Sequence, residues 1–250
     1  MASIKENPFT IIFGMEPKSL IPRIKDYNEV KGVFESNQPS TYAYVITGVR
    51  GCGKTVLMSS LQNYFSEQKD WIVIRLNPDL DLYESAISQL SEYIKLRKDL
   101  LEEFNINIGP LGVGLGKTSV TYNETLLRKI LNAAKKDEKR VLIAIDEASN
   151  SETLKTFAHS YQAFIGEKLP VFMLLTALPE NFSKLANSKN GTFLKRLPKI
   201  KLGRLDSIRV TIKYSEIFDI SEEDAAKLAE YVKGYPFAYQ LLGDLLWKNN

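Results

Sequence analysis

Two short stretches of this chain hold residue types whose spacing is chemically specific. The octapeptide Gly48-Val49-Arg50-Gly51-Cys52-Gly53-Lys54-Thr55 fits the pattern G-x-x-x-x-G-K-[ST]. Glycines 48, 51 and 53 let the backbone curl so that successive N–H groups, from Arg50 through Cys52 to Val56, face an anion together with the positive end of a following helix. In such a loop Lys54 reaches the β- and γ-phosphates of a triphosphate, and Thr55 ligates Mg²⁺. Cys52 is a variable position whose small side chain is tolerated there, with no redox role expected. Downstream, the apolar run Val141-Leu-Ile-Ala-Ile145 ends in Asp146-Glu147. An aspartate at the tip of a buried strand needs a partner, and a Mg²⁺ shared with Thr55 supplies one. Glu147 follows it. Because strand side chains alternate, Glu147 is expected to point away from Asp146, free to orient and deprotonate a water. Thr176, at the tip of the next apolar run, is a candidate to hydrogen-bond the γ-phosphate or that water from the opposite side.

These residues need a scaffold, and its periodicity is legible. Tyr42–Thr47 reads as a buried strand before the loop, and Leu57, Met58, Leu61, Tyr64 and Phe65 mark a helix after it. A short helix is expected over Asp26–Glu35, a strand over Trp71–Leu76 and a helix from about Leu82 to Arg97. Glycines 109, 112, 114 and 116 punctuate short apolar pairs over 104–121, suggesting an inserted hairpin. Its Gly-Leu-Gly-Lys117-Thr118 imitates a second phosphate loop, but Leu111 stands where the first glycine belongs, so it reads as structural. Further helices are expected over Asn123–Lys136 and 152–167, with His159 beside the apolar stripe of the latter, and further strands over Pro170–Thr176 and Ile200–Leu202. Strands alternating with helices imply an α/β fold with a mostly parallel sheet. After Leu205 the strands stop: Ser207–Phe218, Glu222–Lys233 capped by Ser221, and Pro236 to Trp247 read as helices. The expected domains are therefore an α/β core over 1–205 and a small helical lid over 206–250.

Composition narrows the setting. With 250 residues, 44% apolar and 25% charged, the chain has the profile of a soluble globular protein. One cysteine excludes an internal disulfide framework, and a single histidine argues against a histidine metal site. The expected location is cytoplasmic. No apolar run is long enough to span a membrane, and no signal peptide is visible. A net charge of +3 does not by itself imply nucleic acid, although Lys184–Lys213 holds nine basic residues against the single acid Asp206.

Taken together, these residues resemble the AAA+ and STAND superfamily of P-loop ATPases, especially archaeal and bacterial ATP-binding proteins related to replication-initiator ATPases. The resemblance covers almost the whole chain. Gly48–Thr55 resembles Walker A, Val141–Glu147 resembles Walker B with its catalytic glutamate, and Leu175–Glu180 resembles the sensor 1 strand. It implies a P-loop NTPase three-layer sandwich followed by a small helical lid. The lid segment Gly234-Tyr-Pro236 is similar to the G-x-P segment whose proline lies against adenine in STAND proteins, which implies that Pro236 contacts the base. Leu20-Ile21-Pro22-Arg23 occupies the place of an apolar-Gly-Arg box around the base, with proline replacing the glycine; Ile21 and Arg23 are the residues it implies. Arg196 stands where relatives often keep a phosphate-sensing arginine, with Lys195, Lys199 and Arg204 as competitors.

The resemblance implies ATP or ADP with Mg²⁺ as cofactors and Mg²⁺-dependent ATP hydrolysis as a nucleotide switch. It also implies partners beyond the nucleotide: nucleic acid or an effector protein reached through a C-terminal module, and nucleotide-dependent oligomers. Relatives often continue into such a module, so the chain reads as an excised ATPase core. Two other readings stand beside this one. The first is a DNA-binding initiator-like or mobile-element ATPase; the second is an ADP-holding signalling or defence scaffold with little turnover.

Overall fold

The strand sequences explain the layering. Every side chain of Val141–Ile145 is apolar and buried, so both faces of the sheet that holds this strand need cover. In the computed structural model, which describes residues 6–12, 16–90, 92–93, 107–109, 112–114, 120–188 and 192–249, helices supply that cover on each side.

The strands are β1 (Ala43–Thr47), β2 (Trp71–Leu76), β3 (Asn107–Gly109), β4 (Gly112–Gly114), β5 (Arg140–Ile145), β6 (Val171–Ala177) and β7 (Lys199–Lys201). Five of them form one sheet in the order β2-β5-β6-β1-β7, with every pair parallel. The order matters for the site. It inserts β6 between β1, which feeds the phosphate loop, and β5, which ends at Asp146. Because all strands run the same way, their carboxyl ends share one edge, where ligands of open α/β sheets bind. Lys199 and Lys201 are exposed on edge strand β7, where lysines discourage further strand pairing.

The helices are α1 (Ile24–Glu35), α2 (Lys54–Ser66), α3 (Leu82–Gln89), α4 (Val120–Lys136), α5 (Glu152–Gly166), α6 (Pro179–Asn187), α7 (Ser207–Phe218), α8 (Glu222–Val232) and α9 (Pro236–Asn249), with a 3₁₀ turn over Thr192–Arg196. Strand residues at alternate positions go to opposite layers. Val45, Ile143 and Met173 pack with apolar residues of α3, α4, α5 and α6; Tyr44, Ile46, Leu142 and Leu174 pack with those of α1 and α2. The alternation of elements predicts the α/β fold with its parallel sheet, and the three layers are those the resemblance implies. The hairpin expected over 104–121 contains the antiparallel pair β3–β4, while residues 104–106, 110–111 and 115–119 of that stretch, including Lys117 and Thr118 of the imitation loop, lie outside the described residues. The helix expected to reach Arg97 is described as α3 only to Gln89, and residues 94–97 also lie outside. His159 is exposed.

The three C-terminal helices build a separate small core. Ser221 caps α8 by accepting from the Asp224 amide, and Asp206 caps α7 through the Ile208 amide. Val210, Tyr214, Ala225, Ala229, Val232 and Tyr239 cluster there, and two residues from the other end of the chain, Phe9 and Ile21, join them. The Phe9 ring stacks on Phe218 at 5.6 Å and meets Tyr239 edge-on. Asn7 Nδ2 donates to Asp244 Oδ1 at 2.8 Å, and the Thr10 amide donates to Gln240 Oε1 at 3.0 Å. The N-terminal segment thus packs with the three C-terminal helices.

Candidate active site

The phosphate loop takes the shape its glycines permit. Gly51 and Gly53 adopt φ of 71° and 93°, in the left-handed region that other residues enter at a cost. Gly53 is the N-cap of α2 and offers no side chain to the first turn, so the α2 amides remain open to an anion. Lys54 is buried, and its Nζ donates to the carbonyls of Gly48 and Val49, both at 3.0 Å. The ammonium is therefore held at the loop from the inside. A cavity of about 1320 Å³ opens over the loop; its wall includes Arg50 to Val56 with Asp146, Glu147, Ile21, Arg23 and Pro236.

Asp146 gathers the chemistry from three strand ends. Thr55 Oγ1 donates to Asp146 Oδ2 at 3.0 Å, and the Thr176 hydroxyl donates to Oδ1. Thr176 in turn accepts from the Glu147 amide at 2.9 Å, and the same amide lies 3.1 Å from Asp146 Oδ1. The hydroxyl is a strut between the two acids. This differs from the expectation that Thr176 touches phosphate or water. It has no exposed surface, does not line the cavity, and its single proton is committed to Asp146.

The strand alternation expected to separate Glu147 from Asp146 does not apply. β5 ends at Ile145, so both acids lie in a turn, and Glu147 has φ of 55°. A left-handed non-glycine residue needs support from its surroundings. Its own amide supplies that support through Thr176, and the adjoining Ala148 amide donates to the Thr176 carbonyl at 2.7 Å. The Glu147 carboxylate is left exposed on the cavity wall.

The residues expected around the base divide. Ile21 is buried and Pro236 opens α9, and both line the cavity. Arg23 also lines it, but its guanidinium donates to the carbonyls of Gly203 and Arg204, the latter at 3.0 Å, in the segment joining β7 to the lid. Burial lowers its pKa, opposed by Asp26. Arg196, Lys195 and Lys199 are exposed and Arg204 faces the lid's outer groove; none of the four lines the main cavity.

Two site residues escape a motif reading. Arg75, near the end of β2, pairs with Asp146 Oδ2 at 3.1 Å. Its one visible signal is a charge inside the otherwise apolar Trp71-Ile-Val-Ile-Arg-Leu76. Tyr235, the middle residue of Gly234-Tyr-Pro236, donates its hydroxyl to the Arg50 carbonyl, and the Phe237 amide donates to the Gly51 carbonyl at 3.3 Å. The start of α9 is thereby fastened directly to the phosphate loop.

The donor set of Thr55 and Asp146, a hydroxyl and a carboxylate in contact at a strand end, suits a hard divalent cation such as Mg²⁺, which takes few protein ligands and completes its shell with phosphate oxygens and water. No cluster of three His, Cys, Asp or Glu residues suited to a metal held by protein alone occurs among the described residues.

A family model described as "ATPase domain predominantly from Archaea" matches residues 21–232. The chain belongs to this family. A search of curated protein sequences returns no match. Among solved structures the ATPase domain is similar to Cdc6p from Pyrobaculum aerophilum, with TM-score 0.60 and 14% identity over 95% of this chain and 63% of that one. It is similar also to the Aeropyrum pernix ORC2 protein in ADPNP-ADP complexes, with TM-score 0.59 and 12% identity over 95% and 64% of the two chains. The Aeropyrum pernix ORC1 protein in complex with DNA follows at TM-score 0.53 and 11% identity, over 93% and 62%. The ATPase domain thus spans a little under two thirds of each of these neighbours. The likeness shows that the ATPase domain shares the fold of these proteins. No helix among the described residues is long and apolar enough to cross a membrane.

Proposed function

We propose that this ATPase domain hydrolyses ATP with Mg²⁺ as a nucleotide-controlled switch of the AAA+/STAND kind. The observation that carries this reading is the connected set Thr55–Asp146–Thr176–Glu147, which ties the phosphate loop to an exposed carboxylate across the ends of β5 and β6. In this reading the α2 amides and Lys54 bind the β- and γ-phosphates, while Thr55 and Asp146 hold the Mg²⁺. The metal's chemistry is neutralisation of phosphate charge. Glu147 orients and deprotonates the attacking water. Most of the barrier reduction then comes from positioning and fixed charge, as expected of phosphoryl transfer.

Ile21 and Pro236 flank the base, and the lid reports nucleotide state through Tyr235 and Phe237, whose contacts with Arg50 and Gly51 any rearrangement of the loop must alter. Steady-state phosphate release and ATP binding test the assignment together. Glu147→Gln should retain ATP and lose turnover by about 100-fold or more, and Lys54→Ala should lose nucleotide binding itself. Equal turnover in wild type and Glu147→Gln would remove the general base from this account.

DNA contact is a second reading, supported by the neighbour bound to DNA and by exposure of Lys184, Lys195, Arg196, Lys199, Lys201, Arg204 and Arg209. A duplex titration at two salt concentrations tests it: phosphate contacts weaken steeply as salt rises. Absence of binding at low salt would leave these side chains as a solvated face.

A further inference from the structure

The Asp146 carboxylate is engaged on both oxygens. Oδ1 accepts from the Thr176 hydroxyl and the Glu147 amide; Oδ2 accepts from Thr55 Oγ1 at 3.0 Å and from Arg75 Nη2 at 3.1 Å. The hydroxyls and the amide are neutral. Arg75 brings a full positive charge. Its placement follows from the fold. Arg75 pairs in register with Ala144 on the adjoining strand, just ahead of Asp146, so a long side chain at this position runs toward the carboxyl edge of the sheet. Gln89 of α3 grips its main chain from both sides: the Arg75 amide donates to Gln89 Oε1 at 2.9 Å, and Gln89 Nε2 donates to the Arg75 carbonyl.

The two partners differ in what release costs them. The Asp146 side chain is 17% exposed and that of Arg75 49%. A freed guanidinium can hydrate where it stands, whereas a largely buried carboxylate stripped of its cation carries a desolvation penalty. Asp146 therefore needs a positive charge beside it in every state of the site, and Arg75 supplies one from the protein itself.

We propose that Arg75 is a resident counter-ion that competes with the divalent cation for Asp146 Oδ2, and so raises the cation concentration at which nucleotide is taken up. The inference rests on the assignment of Thr55 and Asp146 to the metal. Oδ2 already accepts from Thr55 and Arg75, so a divalent ion reaching it must displace a donor, and beside the guanidinium it would put two cations on one oxygen, which repel. Loading the site exchanges one cation for the other, and the exchange free energy enters the apparent affinity for the metal-nucleotide complex. Arg75 is a positioning residue in this account, since it acts on the site through Asp146.

Equilibrium binding of a fluorescent ADP derivative to the 250-residue chain, across a MgCl₂ series that starts in chelator, tests this without any turnover. For Arg75→Gln the Mg²⁺ midpoint should fall about fivefold, the upper scale of measured partly exposed ion pairs. Arg75→Lys, which keeps a charge but loses the planar fork, should give a smaller fall, about twofold. It also serves as the test if the glutamine variant does not fold by circular dichroism. An unchanged or raised midpoint in a folded Arg75→Gln overturns the proposal, as does an unchanged midpoint in Arg75→Lys where only that variant folds. Asp146→Asn separates the two levels. If it abolishes the Mg²⁺ dependence while Arg75→Gln leaves the midpoint in place, only the competition fails. If it leaves the dependence intact, the metal assignment fails and the inference goes with it.

Discussion

Thr176 shows how much one buried hydroxyl can organise. It donates to Asp146 and accepts from the Glu147 amide, so the orientation of both acids passes through a single side chain with no exposed surface. Thr176→Val keeps the volume and removes both bonds, leaving a buried amide with one acceptor fewer. We expect a stability loss of about 1–3 kcal/mol in urea denaturation. Turnover should fall about tenfold with a smaller change in KM for ATP, because the loss falls on the placement of Glu147 rather than on the phosphate loop. A change confined to KM would place Thr176 in nucleotide binding instead. The sequence marks Thr176 as a polar strand tip and no more; that its partners are the two acids depends on β6 lying between β5 and β1.

At the scale of elements, the phosphate loop and α9 form one unit. Gly51 has φ of 71°, and a β-carbon there would overlap the Tyr235 ring and its hydroxyl. Gly51→Ala should therefore act twice, through about 1–2 kcal/mol of left-handed backbone strain and by pushing the lid off the loop. Calorimetric titration should show ADP affinity reduced by about tenfold or more, with faster amide exchange at the start of α9. Adding Tyr235→Ala to Gly51→Ala should recover part of that loss, since it removes the collision and leaves only the backbone strain. Strict additivity of the two substitutions would show that the contact carries no coupling. The glycines of the loop are readable from their pattern, yet the need for glycine at 51 comes equally from a tyrosine near the other end of the chain.

At the scale of the whole molecule, the N-terminal segment unites the two ends of the chain. Phe9 is 4% exposed among Tyr214, Phe218 and Tyr239, and Gly243 passes so close that a methyl group would overlap the Phe9 ring. Phe9→Ala should cost the lid about 3 kcal/mol. Chemical denaturation followed by Trp247 fluorescence should show lid unfolding at lower denaturant, while the α/β core keeps its own transition. A single unshifted transition would mean that Phe9 contributes nothing to the lid. Ile21 belongs to the same cluster and also lines the cavity over the phosphate loop, so on the proposed reading base binding and the packing of the C-terminal helices share a wall.

The chain by itself determined the three-layer α/β plan, the order of elements within a few residues, and the positions of Lys54, Thr55, Asp146 and Glu147, because hydrophobic period and local motifs are short-range properties of a sequence. Only the tertiary structure decided which strands are neighbours, and with them the strut at Thr176, the cation at Arg75, the latch at Tyr235 and the attachment of Phe9 to the lid. Each of these is a contact between residues far apart in the chain, made by side chains that follow no local pattern. Their partners exist only once the parallel strands have brought their carboxyl ends to one edge.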